Sequence, residues 1–314
     1  MKVLVSNTSG RLDHNKIVPH DFECNSMLDY CGLDRWEMVK PYKHKYEYTS
    51  DSFEQVVLET AEGITGDIGV MWSGGIDSSL ALIALLHTGK KVVIYFTPKS
   101  VSEGILIFKP ILEKWKNQID LKLFTKFYEI AEPTIVTGEV ADQLWGHQKI
   151  TYGMTNNLRN EHADPYLAMK SFYPNAKEEF LEKSVMIFNQ CDYNLDTADD
   201  ILWWYMFTQK FFAVKYRMLT FTEPEHRHHY TRLNHFFETD KFRAWSNTAH
   251  RDKTLVSETA EDYKRAAKEF IVKYTGVAEY MSKKKAGSLR NSAYLNKSYP
   301  VVFEDLSHLA YGEF

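Results

Sequence analysis

Asp67-Ile-Gly-Val-Met-Trp-Ser-Gly-Gly-Ile-Asp-Ser-Ser-Leu80 is the stretch that decides how this chain is read. Ile68 to Trp72 is an apolar run of strand length, Ser73-Gly74-Gly75 forms a turn whose two glycines are free to take positive φ, and Asp77-Ser78-Ser79 opens an apolar helix through Leu86. A strand feeding such a turn and helix points backbone N–H groups outward at the positive end of the helix dipole, where a phosphate can be held. The Asp77 carboxylate in the same turn suits Mg²⁺, a hard cation that commonly binds one or two carboxylates together with phosphate oxygens. ATP with Mg²⁺ is the expected chemistry. Neither GxxxxGK[ST] nor GxGxxG accompanies this strand, so the phosphate loop is of another kind.

Ser73-Gly74-Gly75-Ile76-Asp77-Ser78 resembles the SGGxDS loop of the ATP pyrophosphatases, which cleave ATP between its α- and β-phosphates. A second segment, Pro133-Thr-Ile-Val-Thr-Gly-Glu-Val-Ala-Asp-Gln-Leu-Trp-Gly146, also reads as strand, turn and helix start. It resembles the GEGxDELFGG segment of asparagine synthetases and related amide-forming synthetases. Gly138, Glu139, Asp142, Leu144 and Gly146 match, whereas Val140, Gln143 and His147 stand in place of Gly, Glu and Gly. The resemblance implies an adenine nucleotide alpha hydrolase-like fold and an enzyme that adenylates a carboxylate, releases pyrophosphate and passes the acyl group to an amine or ammonia. It assigns Ser73, Gly74, Gly75 and Ser78 to the pyrophosphate, Asp77 and Asp142 to Mg²⁺, and Met71, Phe96 and Gly138 to the adenosine. Glu139 is the implied base that takes a proton from the attacking amine, which needs a lone pair to attack. Lys283-Lys-Lys-Ala-Gly287 is similar to the family's RxKxG segment, which makes Lys285 the implied phosphate contact; by composition alone the run is a solvated basic patch. His235-Phe-Phe-Glu-Thr-Asp240 is loosely similar to the family's PFLD segment.

Strand patterns at 91–96, 121–124 and 134–137, with a helical pattern over 102–117, predict an α/β class: a parallel sheet with helices on both faces and ligands at the carboxyl ends of the strands. After about residue 151 the periodicity becomes mostly helical. The patterns over 176–190 and 197–219 read as helices, and 201–207 is apolar all round, as in a buried helix. Thr259 with Asp262 is expected to cap a helix towards Tyr274 that Gly276 ends. The expected organisation is a short segment, 1–62, followed by a synthetase domain, 63–314, comprising an ATP core at 63–150 and a helical part at 151–314. Residues 1–62 are too few for a glutaminase; position 2 is Lys2 and no Cys precedes Cys24. Nitrogen is therefore expected from ammonia, a substrate amine or a separate donor protein.

A net charge of -4 over 314 residues argues against general nucleic-acid affinity. The three cysteines form no CxxC pair and read as reduced, structural residues. No apolar run approaches membrane-spanning length and Met1-Lys-Val-Leu-Val-Ser-Asn7 lacks a signal-peptide apolar region, so a cytoplasmic location is expected. His226, His228, His229 and His235 lack paired Cys or HExxH spacing and read as a surface or interface cluster rather than a metal site. Two alternatives keep the nucleotide and change the outcome: an ATP pyrophosphatase that modifies a nucleic-acid base, and a nucleotide-binding protein without catalysis.

Overall fold

The computed structural model describes residues 47–145, 164–172, 195–204, 224–252 and 262–283, isolated positions among the rest, and three-residue strands at 3–5, 17–19, 27–29 and 301–303. The strands are β1 (Val3–Val5), β2 (Ile17–Pro19), β3 (Met27–Asp29), β4 (Ile68–Met71), β5 (Val92–Phe96), β6 (Ile119–Leu123), β7 (Thr134–Thr137), β8 (Leu233–His235) and β9 (Val301–Phe303). The helices are α1 (Phe53–Gly63), α2 (Ile76–His87), α3 (Pro98–Glu103), α4 (Ile105–Lys114), α5 (Ala141–Trp145), α6 (Pro165–Phe172), α7 (Ala198–Trp204), α8 (Asp240–Arg251) and α9 (Arg265–Thr275). The chain forms two compact units: Met1–Tyr46, Trp145–His228 and Leu289–Phe314 make one, and Glu47–Leu144 with His229–Ser288 the other. Both are discontinuous, whereas the division at 62 and 150 expected from sequence follows chain order.

The second unit is α/β. Its five-stranded sheet runs β6-β5-β4-β7-β8, and every neighbouring pair is parallel. β4 lies at the centre, and Ile68 and Val70 are 2% and 1% exposed, as expected for a parallel strand covered by apolar groups. From β4 the chain moves through β5 to β6 on one side; β7 then pairs with β4 on the other. The strand order therefore reverses between β4 and β7, where open α/β sheets bind ligands beyond the carboxyl ends. The register places Met71 beside Thr137, so the Ser73 turn and the Gly138 turn leave adjacent strands at the same level.

Helix α2 is apolar on every side, and Leu80 to Leu86 are at most 1% exposed. It packs against α1 and α9. α1 begins with a reciprocal cap: Ser52 Oγ accepts from Gln55 N at 3.2 Å and Gln55 Oε1 accepts from Ser52 N at 2.8 Å. The helix expected over 102–117 is two helices, because Gly104 ends α3 and begins α4. A Cβ at Gly104 would stand 2.4 Å from the Trp72 ring, which stacks on Phe108 at 4.7 Å, so the break lets the chain pass close over β4's end. α9 ends at Gly276 (φ 78°) as expected, but begins at Arg265, with Lys264 in the N-cap position.

In the other unit, β1 pairs with β9 and β2 with β3, both antiparallel. α7 is the buried helix expected after Thr197: Ile201, Leu202, Trp203 and Trp204 are at most 2% exposed, and Thr197 N donates to Asp200 Oδ2 at 2.9 Å. The helix expected over 176–190, the rest of 197–219 and the Thr259 cap lie largely or wholly outside the described residues. Among the described residues no helix is long and apolar enough to cross a membrane.

Candidate functional site

The turn after β4 is braced from within. Ser73 N donates to Ser78 Oγ at 3.1 Å, the Ser73 and Ser78 hydroxyls pair at 2.9 Å, and Trp72 Nε1 donates to Ser79 Oγ at 3.0 Å. Only one of the two glycines takes positive φ. Gly74 does, at 75°, while Gly75 is extended (φ -74°, ψ 168°) and serves as the N-cap of α2 without a side-chain cap bond. The amide donors of the first turn are thus not satisfied by a capping side chain, which leaves the helix start suited to an anion. Gly74 has a packing role as well: a Cβ there would meet the Ser100 carbonyl oxygen at 2.0 Å.

The second turn lies against the first. A Cβ on Gly138 would meet Ser78 N at 2.5 Å and Asp77 C at 2.8 Å, so absence of a side chain lets the two segments touch backbone to backbone. Glu139 N donates to Thr137 Oγ1 at 3.3 Å; that hydroxyl pairs with buried His235 Nδ1 at 2.8 Å, and His235 Nε2 faces Tyr230 OH at 3.3 Å. His235 thus braces the Glu139 turn from β8, while His228 is exposed and pairs with the Glu225 carbonyl. Val140 has φ 61°, a conformation that is a clear outlier for a β-branched residue, at the position where the resembling segment carries Gly. Relief of about 1–2 kcal/mol of left-handed strain opposes the roughly 1.5–3 kcal/mol lost with a buried Val side chain. Val140→Gly should therefore cost at most about 2 kcal/mol, and Val136→Gly, in β7 with no strain to relieve, about 2–4 kcal/mol. Urea denaturation of both variants decides; equal losses would show that position 140 carries no strain. Gln143 is 2% exposed, and its Oε1 has no hydrogen-bond partner among the described residues, a setting in which an amide costs less than an ionised carboxylate.

Lys264 joins the two motif aspartates. Its Nζ lies 2.5 Å from Asp77 Oδ1 and 2.6 Å from Asp142 Oδ1, and Tyr263 OH donates to the same Asp142 oxygen at 2.7 Å. The Lys264 side chain is 1% exposed, against 23% and 31% for the Asp77 and Asp142 side chains. Burial pushes its ammonium pKa down, but Asp142 and Asp77 together outweigh this and hold it above the ordinary lysine value. Lys283 approaches from the 3₁₀ turn Ala278–Ser282: its Nζ donates to the Gly74 carbonyl at 2.9 Å and the Glu103 carbonyl at 2.6 Å. Burial lowers the Lys283 pKa, against the opposing effect of Glu103.

The structure therefore brings Met71, Ser73, Gly74, Gly75, Asp77, Ser78, Phe96, Gly138, Glu139 and Asp142 to the carboxyl ends of β4, β5 and β7. Lys285 and Lys284 lie outside the described residues, and the lysine of that run seen at the turn is Lys283. Lys264 and Tyr263 belong to the site without any local pattern to mark them. Two carboxylates are the right donors for Mg²⁺ accompanied by phosphates, and their partial exposure admits such an ion from the solvent side, beside the lysine. Among the described residues no three His, Cys, Asp or Glu side chains group closely enough to hold a metal unaided. No protein-family model matches this chain, and no curated protein matches it.

Proposed function

We propose that this chain is an asparagine synthetase-like enzyme that activates a carboxylate as its acyl-adenylate, with ATP cleaved to AMP and pyrophosphate, and lets an amine or ammonia displace AMP to form an amide. The observation that carries this is the convergence, at the reversal of strand order, of a helix start lacking a side-chain cap with two carboxylates from separate turns. Ser73, Ser78 and the amides that open α2 would hold the phosphates, with Lys283 close behind the turn. Glu139 would take the proton of the attacking amine; the hydrogen bond from its backbone to Thr137 sets the turn that carries it. Mg²⁺ bound by Asp77 and Asp142 would supply positive charge to the phosphate oxygens. An acyl-adenylate on the pathway requires the carboxylate oxygen to attack the α-phosphorus, with the electron pair of the broken P–O bond leaving on pyrophosphate.

Incubation of the purified chain with ATP, Mg²⁺ and a panel of carboxylates and amines should give AMP and pyrophosphate in equal amounts. Formation should depend on one member of each class. ADP and phosphate as products would overturn the proposal, and nucleotide binding without any turnover across the panel would favour the non-catalytic alternative.

A further inference from the structure

Lys264 stands where a divalent ion bridging Oδ1 of Asp77 and Oδ1 of Asp142 would stand. Its Nζ is within 2.6 Å of one oxygen of each carboxylate. A Mg²⁺ bound to those same two oxygens would lie about 2.1 Å from each, in the space of the ammonium itself, and the mutual repulsion of two cations is little screened where the lysine is 1% exposed. The lysine is aimed there by its backbone, which is left-handed at φ 55°, ψ 40°. That conformation is uncommon for a residue with a Cβ. Tyr263, its neighbour in the chain, donates to the same Asp142 oxygen, so two successive side chains serve one carboxylate pair.

Building on the ATP chemistry proposed above, we propose that Lys264 is the resident cation of this site, holding Asp77 and Asp142 together in place of a bridging metal ion. Nucleotide-free protein then has no tight divalent-ion site between these carboxylates. A divalent ion arrives only with the triphosphate and meets the carboxylates from their solvent side. The lysine is a positioning residue: it fixes two like charges at the mouth of the phosphate loop before nucleotide binds.

Mn²⁺ is the probe, its free fraction read by electron paramagnetic resonance on the full chain. Wild-type protein should bind Mn²⁺ alone only in the millimolar range, and with a non-hydrolysable ATP analogue present should lower free Mn²⁺ well below the level that the analogue sets without protein. Lys264→Met removes the charge and the donor, while Lys264→Gln removes the charge and keeps an N–H donor on a side chain one bond shorter. In either variant Mn²⁺ alone should bind about tenfold tighter or more, because an attractive carboxylate pair has lost its internal counter-ion. Circular dichroism checks folding, and Lys264→Gln decides if Lys264→Met does not fold. Tight Mn²⁺ binding by nucleotide-free wild type, or an unchanged affinity in a folded variant, would overturn the assignment. The arms with Mn²⁺ alone contain no nucleotide and read Lys264 directly. Failure of the ATP analogue to enhance Mn²⁺ binding in wild type, with the variant effect intact, would count against the ATP chemistry and leave Lys264 in its role.

Discussion

Asp77→Asn is expected to lower AMP formation by about a thousandfold while the protein remains folded. The side chain sits in the turn after β4, accepts from Lys264 and is one of two carboxylates that would face the cation of the proposed ATP complex. Asn keeps the shape and one acceptor oxygen, so Lys264 retains a hydrogen bond there and its ion pair with Asp142. Asp77→Ala removes the acceptor as well. It should destabilise the fold by a further ~1–3 kcal/mol, because a buried ammonium then loses one of its partners outright. Thermal melts together with single-turnover AMP formation separate the two effects. If Asp77→Asn keeps more than about a tenth of wild-type turnover, Asp77 has no part in the chemistry.

Gly138→Ala should cost about 3 kcal/mol or more and reduce turnover at least a hundredfold. The added Cβ would stand 2.5 Å from Ser78 N and 2.8 Å from Asp77 C. These are backbone atoms at the start of a buried helix, so neither can swing aside as a flexible side chain would. The two turns would have to part, moving Asp77 relative to Asp142. Gly63→Ala is the control: it lies at the end of α1 with nothing within 4 Å of its added Cβ, and should gain about 0.4–1 kcal/mol through a less flexible unfolded chain. Denaturation midpoints of the two variants compare them directly, and similar midpoints would show that the turns are not in contact at Gly138.

What could be read from sequence follows the range of the interactions involved. β4, β7 and α2 are legible because their signals are local: short apolar runs, a glycine turn and a continuous apolar helix. The contact between the turns is half legible. The sequence places Gly138 at a strand end, yet its touching Ser78 depends on β4 and β7 being neighbours, which only the sheet order reveals. β8 is not legible, because Leu233-Asn-His235 has neither length nor alternation and becomes a strand by pairing with β7. The single helix expected over 102–117 fails at Gly104 for a tertiary reason, the Trp72 ring. Gly75 is likewise not left-handed, since the N-cap of α2 requires an extended residue. Lys264 carries no sequence signal: it is 187 residues from Asp77 and would ordinarily read as a solvated charge.

That distance in the chain also sets an order of assembly during synthesis. A ribosome delivers Asp77 and Asp142 before the residue that neutralises them, and at about 5–20 residues per second the interval between Asp142 and Lys264 is on the order of ten seconds. Through it the nascent sheet carries two mutually repelling carboxylates, and β7 is an open edge until β8 arrives to pair with it. The neutralised carboxylate pair is therefore among the last things the growing polypeptide acquires, and the open edge of β7 emerges before it.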